Sequence, residues 1–172
     1  MKEEHLLKVL CELMKNSRQS DRAIAEKLKV SQPTVTRART KLEKEGYVHE
    51  YTLVPDFPKI GYEIMAITLV KTKPFLSEEE RMKRLNIAKD WVNQQQNVAF
   101  GAGSEGMGKT GVMISFHKTF SEYIEFVRKY VAASSDVLET HDTVLVNMRG
   151  DTIAKDFSFA CLSKDMEEKK KR

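Results

Sequence analysis

The residues best suited to chemistry in this 172-residue chain lie between Ser31 and Lys41. Helical spacing puts Val35, Ala38 and Leu42 on one stripe. The opposite face then shows Gln32, Thr34, Thr36, Arg37, Arg39, Thr40 and Lys41, three cations with no acid before Glu43. A helix of this kind fits the major groove of double-stranded DNA. There Arg bonds guanine O6 and N7 together, Gln does the same with adenine N6 and N7, and Thr meets a phosphate or a thymine methyl. An ordinary solvated basic face has the same composition. Its setting favours DNA: a capped helix and a short turn precede it, and Gly46 with a strand-like stretch follows.

Three further residues have two roles open to them. Ser31 can cap the helix or, with the free N–H groups of the first turn, receive a phosphate. Arg22 and His49 can touch backbone phosphate or stand in solvent.

A second candidate, residues 103–110, reads Gly-Ser-Glu-Gly-Met-Gly-Lys-Thr and fits the phosphate-loop pattern G-x-x-x-x-G-K-T letter for letter. Such a loop works only if a helix starts at the Lys-Thr end and turns its N–H groups on the phosphates. Here Gly-Val-Met-Ile-Ser-Phe-His follows, which is strand sequence. A glycine-rich hairpin is the expectation, and a nucleotide-binding loop is the alternative. Gly106, Gly108 and Lys109 are the candidate contacts for a small effector.

No other group stands out chemically. The four histidines lack ligand spacing, although His117 and His141-Asp142 can meet across a sheet. Two cysteines, Cys11 and Cys161, are too few for a disulfide framework or a Cys-based metal site and read as buried small residues. No catalytic triad or paired-acid arrangement is recognisable. The expectation is a protein that is not an enzyme and needs no metal or cofactor.

These residues need elements to hold them. Leu6, Leu7, Val9, Leu10, Leu13 and Met14 recur at helical spacing over residues 3–14. Ser20 caps a second helix with Ile24, Ala25 and Leu28 inward, which breaks near Lys29 and Val30. After the third helix, residues 47–53 suit a small wing hairpin or an extended strand, and Pro55 and Pro58 mark a linker to Gly61. Strands are expected at residues 64–72, 97–102, 111–117 and 137–148. Capping boxes at 77–80 and 119–122 open two helices between them, with Met82, Leu85, Ala88, Trp91 and Val92 inward in one and Phe120, Ile124, Val127 and Val131 in the other. The order β-α-β-β-α-β is the ferredoxin-like plan. A short strand is expected at residues 157–162, and the charged run 167–172 reads as solvated.

Charge follows the same division. Residues 1–54 hold 11 Lys and Arg against 8 Asp and Glu, residues 55–149 hold 12 against 12, and residues 150–172 hold 6 against 5. No stretch is apolar for long enough to span a bilayer, and the acidic, amphipathic start is unlike a signal peptide, so a cytoplasmic protein is expected.

The run from Ser31 to Ile64, SQPTVTRARTKLEKEGYVHEYTLVPDFPKIGYEI, resembles the recognition helix, wing and linker of the Lrp/AsnC (feast/famine) regulators. The order of elements behind it is similar to the second domain of that family. The resemblance implies an α+β chain with a winged helix-turn-helix over 1–54, a linker over 55–61, a ferredoxin-like dimerisation and effector domain over 62–149 and an extension over 150–172. It also implies a transcriptional regulator that binds double-stranded DNA as a homodimer or larger assembly, modulated by a small effector. Family members that take amino-acid effectors usually carry Gly-x-Tyr/Phe-Asp between the second and third strands. Gly106-Met107-Gly108-Lys109 lacks that aromatic and that acid, which argues against an amino-acid effector.

Overall fold

The computed structural model describes residues 3–151 and 153–168. Its elements are α1 (Glu3–Lys15), α2 (Asp21–Leu28), α3 (Gln32–Lys44), a 3-10 turn (Pro58–Ile60), β1 (Ile64–Thr72), α4 (Glu78–Gln94), β2 (Val98–Gly106), β3 (Lys109–His117), α5 (Phe120–Ala133), β4 (Leu138–Asn147) and α6 (Ala160–Glu168). The chain divides into two compact units, Met1–Val54 with Lys155–Arg172, and Pro55–Ala154.

The first unit is a helical cluster around Leu6, Val9, Leu13, Ile24, Ala25, Val35, Ala38 and Leu42, with Ile24, Val35, Ala38 and Leu42 fully buried. Its last helix corrects the strand expected at residues 157–162, because that stretch leads into α6. α6 packs on α1, with Ser163 fully buried and Glu167 bonded to Lys15 at 2.6 Å. Strand formers at Phe157 and Phe159 are insufficient here, since no neighbouring strand pairs with them. The charged run 167–172 extends beyond the described residues after Glu168.

The second unit is a four-stranded antiparallel sheet in the order β2-β3-β1-β4 with α4 and α5 between strands, the ferredoxin-like arrangement. Alternation sorts the sheet residues by face. Ala66, Thr68, Met113, Ser115 and His117 are buried on the side that α5 covers. Met65 and Phe116 lie on the other face, where Phe57, Tyr62, Val146, Met148 and Ile153 close over one end. Phe57 stacks on Phe116 with ring centroids 4.3 Å apart, so the expected linker 55–61 contributes to this unit's core.

Both capping boxes form, Ser77 accepting from the Glu80 amide at 3.1 Å and Thr119 from the Glu122 amide at 3.1 Å. The buried stripes differ from expectation. α5 buries Tyr123 and Phe126 while Phe120 and Val131 are exposed, because a residue at the first helical position lies beyond the sheet it heads toward. α4 buries none of its residues fully; Met82 and Ala88 are exposed, and Trp91 meets Phe126 and Tyr130 at 5.6 and 5.1 Å. His117 and His141 do not meet: His117 lies level with Ile64 of β1 and His141 with Val70, six residues further along.

The phosphate-loop pattern is a hairpin. β2 and β3 pair through Gly106 and Lys109, leaving Met107 and Gly108 as a two-residue turn with φ of 53° and 68°. No helix begins at Lys109-Thr110, so the amides that a phosphate would need are engaged in or beside a strand ladder. Both turn residues have the positive φ of a type I′ turn, which suits Asn better than Met at the first position. Met107→Asn removes only an exposed side chain, 87% accessible, and should raise stability by about 0.5 kcal/mol, measured by chemical denaturation.

Candidate nucleic-acid interface

α2 and α3 are set by local signals. The Ser20 hydroxyl caps α2 by accepting from the Ala23 amide at 3.2 Å. The turn after α2 passes through Lys29 at φ 54°, and the Val30 amide returns to the Ala25 carbonyl at 3.0 Å. Pro33 sits in the first turn of α3, where no N–H is needed. At the other end Gly46 has φ 74° and the Tyr47 amide donates to the Leu42 carbonyl at 2.9 Å, the pattern of a glycine-terminated helix. No strand forms over residues 47–57, so the expected wing hairpin is replaced by irregular chain. Tyr51 anchors it by donating to Glu43 Oε1 at 2.9 Å.

With Val35, Ala38 and Leu42 buried, the outer face of α3 is fixed. Gln32, Thr36, Arg37, Thr40 and Lys41 are exposed, and Thr34 is half-buried. Ser31 makes no side-chain cap to a backbone amide; its hydroxyl shares a 2.8 Å hydrogen bond with that of Thr34. Arg37 Nε donates to the Pro33 carbonyl at 3.2 Å, and Lys41 lies 3.5 Å from Glu45. Arg22 is exposed and pairs with Glu26 at 3.2 Å, and His49 is exposed in the irregular segment.

Arg39 differs from the rest. It lies between the helices, donating to Asp21 Oδ1 at 2.8 Å and to the Gln19 carbonyl at 3.1 Å, with its guanidinium 6.0 Å from the centre of the Tyr51 ring. Thr36 donates to Asp21 Oδ2 at 2.7 Å. Asp21 thus holds two residues of α3, one through each oxygen. Spacings of 15 and 18 residues carry no periodic signal, and the sequence marks Asp21 only as a favourable acid at a helix start.

A second polar cluster backs the first. Glu12 is buried and accepts from Lys15 at 2.8 Å and Lys27 at 3.2 Å. Burial alone would raise its pKa, but the bonds from Lys15 and Lys27 outweigh it and hold the carboxyl below its ordinary value. Hydrogen bonds to Glu12 and Glu167 raise the pKa of Lys15. Gln19 Nε2 donates to the Glu12 carbonyl at 2.8 Å.

The effector candidates lie in the second unit. Gly106 and Gly108 shape the hairpin tip, both at positive φ. Lys109 is largely enclosed and engages Asp142, with Thr140 Oγ1 at 3.4 Å. That contact holds the Asp142 carboxyl below its usual value. At the opposite end of the sheet a cleft of about 310 Å³ is lined by Tyr62, Asn97, His117, Lys118, Glu122 and Lys129. Burial lowers the pKa of His117 against the opposing pull of Glu122, and its ring nitrogens meet Ser115 at 2.9 Å and Asn97 at 3.3 Å. Among the described residues no group of three or more His, Cys, Asp or Glu could hold a metal ion. No described helix is long and apolar enough to cross a membrane.

Residues 2–49 match the winged helix-turn-helix DNA-binding family. Solved structures of similar fold include Escherichia coli AsnC, at a TM-score of 0.69 and 13% identity over 91% of this chain and 98% of that one. In fold, the chain is similar to the Lrp/AsnC regulators. A regulator of this fold from Neisseria meningitidis, NMB0573 in complex with L-Met, superimposes at a TM-score of 0.74 and 16% identity, covering 92% of this chain and 96% of that one. By sequence, Bacillus subtilis LrpC is 36% identical over 77 residues, 45% of this chain and 52% of LrpC. An uncharacterized HTH-type regulator of Pyrococcus horikoshii is 38% identical over 68 residues, 40% of this chain and 43% of that protein. The chain therefore spans about half the length of the curated relatives it matches.

Within the helix-turn-helix unit, Asp21 decides how α3 is presented. Asp21→Ala leaves the half-buried Arg39 guanidinium without its carboxylate. It should cost about 1 to 3 kcal/mol of stability by denaturant unfolding, more than Arg22→Ala, whose exposed ion pair contributes little.

Proposed function

We propose that this protein is a transcriptional regulator that reads DNA through α3. One observation carries the reading: α3 follows a capped helix and a tight turn, buries one stripe completely and turns Gln32, Arg37, Thr40 and Lys41 to solvent. The match of residues 2–49 to a DNA-binding family supports it. Gln32 and Arg37 stand in the first two turns and are the base-reading side chains, with Thr36 beside them but shared with Asp21. Lys41, a turn further on, meets a phosphate, and Ser31, Thr34, Arg22 and His49 are accessory backbone contacts. Arg39 acts by holding α3 against α2.

The working form is a homodimer. Helices cover one face of the sheet, whereas the other presents Phe100, 51% exposed, and Val144, 59% exposed, next to the partly buried Ile67 and Ile114. An apolar sheet face needs a cover, and a second copy of the same face supplies it with twofold symmetry. A small effector would act at the hairpin tip of Gly106, Gly108 and Lys109. There any anion must displace Asp142 from Lys109, which weakens the case for a free carboxylate ligand.

Selection of bound duplexes from a random pool tests the reading directly; enrichment of one motif is expected, and none would refute it. On the selected duplex, Arg37→Ala should lose about 1 to 3 kcal/mol and flatten discrimination at one base pair. Lys41→Ala should weaken all duplexes alike and lower the slope of log affinity against log salt by about 0.9. An unchanged base preference in Arg37→Ala would assign the reading elsewhere.

The dimer has its own test. Val144→Lys places a charge on the open face, on the edge strand β4 beside Ile67, and should convert the protein to a folded monomer, read by sedimentation at micromolar concentration. A parent chain already monomeric there would exclude this dimer.

A further inference from the structure

The turn between α2 and α3 holds a residue ill suited to its backbone. Among the described residues only Lys29 and Met107 have positive φ without being glycine, and Lys29 sits at φ 54° and ψ 46°. Its amide donates to the Glu26 carbonyl at 3.4 Å, and that of Val30 to the Ala25 carbonyl at 3.0 Å, which closes the end of α2. Glycine is the usual residue at such a position, because an L side chain there crowds the following carbonyl. A lysine therefore costs stability, and nothing in the fold offsets that cost. Its side chain is exposed and has no polar partner among the described residues.

Most cations of α1 to α3 are engaged. Lys8, Lys15, Arg22, Lys27, Arg39 and Lys41 each stand 2.6 to 3.5 Å from a carboxylate oxygen. Lys29 keeps its charge free, three residues before Gln32, the first side chain on the outer face of α3. The two Cα atoms lie at most about 11 Å apart, the length of three Cα steps. A side chain seated in a major groove about 12 Å wide has phosphates roughly 6 Å to either side. DNA that meets Gln32 therefore brings a phosphate within reach of the flexible four-carbon stem of Lys29.

We infer that Lys29 is a phosphate contact, indifferent to sequence, held in a backbone conformation that glycine would adopt at lower energy. This rests on the DNA-binding reading above. A point charge on a flexible stem adds affinity without base preference, so discrimination stays with α3. The strain is the trace of that use, since folding alone would favour glycine in this turn.

The test compares the parent with Lys29→Gly, Lys29→Arg and Met107→Gly, all as full chains, on the selected duplex and on a scrambled one across salt concentrations. Lys29→Gly should raise the folding equilibrium constant about two- to fivefold by denaturant unfolding. It should also lower the slope of log affinity against log salt by about 0.9 and leave the preference for the selected duplex unchanged. Lys29→Arg keeps the charge in place and should keep the parent slope. Met107→Gly relieves the same strain in the other unit, at an exposed side chain, and should raise stability with the slope unchanged. A parent-like slope in Lys29→Gly, or an equal loss of slope in Lys29→Arg, would overturn the contact alone. A Lys29→Gly chain no more stable than the parent would overturn the claim that the lysine is held at a cost. A parent that binds neither duplex would overturn the DNA-binding reading as well.

Discussion

The carboxylate of Asp21 is the joint on which the DNA-facing surface depends. A helix-turn-helix needs two helices at a fixed angle, and apolar contact alone leaves that angle soft, since Val35, Ala38 and Leu42 would also pack after a small rotation. Asp21 accepts from Thr36 with one oxygen and from Arg39 with the other, and the same Arg39 reaches back to the Gln19 carbonyl. These directional bonds join two turns of α3 to the start of α2. The rotation of α3, and hence which side chains face outward, follows from them.

This arrangement explains what could and could not be read from the sequence. The stripe of α3 and its termini at Pro33 and Gly46 are local signals, and they agree with the structure. β1 has the limits that its composition suggests, and the βαββαβ order follows from periodicity and two capping boxes. Arg39 was legible only as a cation on the polar side of a helix. Its role depends on an acid 18 residues away, which no period encodes. α6 was missed for a similar reason: Phe157, Phe159 and Leu162 have strand character, whereas the surface that selects a helix is α1, some 150 residues earlier. The irregular segment after Gly46 shows the converse case, strand formers with no partner strand to pair with.

The hairpin at 103–110 is a further instance of local pattern against context. Eight letters satisfy a phosphate-loop motif, yet the positive φ values of Met107 and Gly108 turn the chain straight back into β3. A phosphate loop is a junction of strand and helix, and the residues after Thr110 decide which junction exists. Lys109, free to meet a phosphate in the motif, instead faces Asp142 across the sheet.

The discontinuity of the first unit also bears on how the protein is made. During synthesis α1, α2 and α3 leave the ribosome first, while α6 follows only after the entire sheet has been translated. Until then the side of α1 that receives Ser163 has no cover. Closing a loop of this length is slow beside the formation of the local helices. The nascent helix-turn-helix thus waits for α6 before its unit is complete.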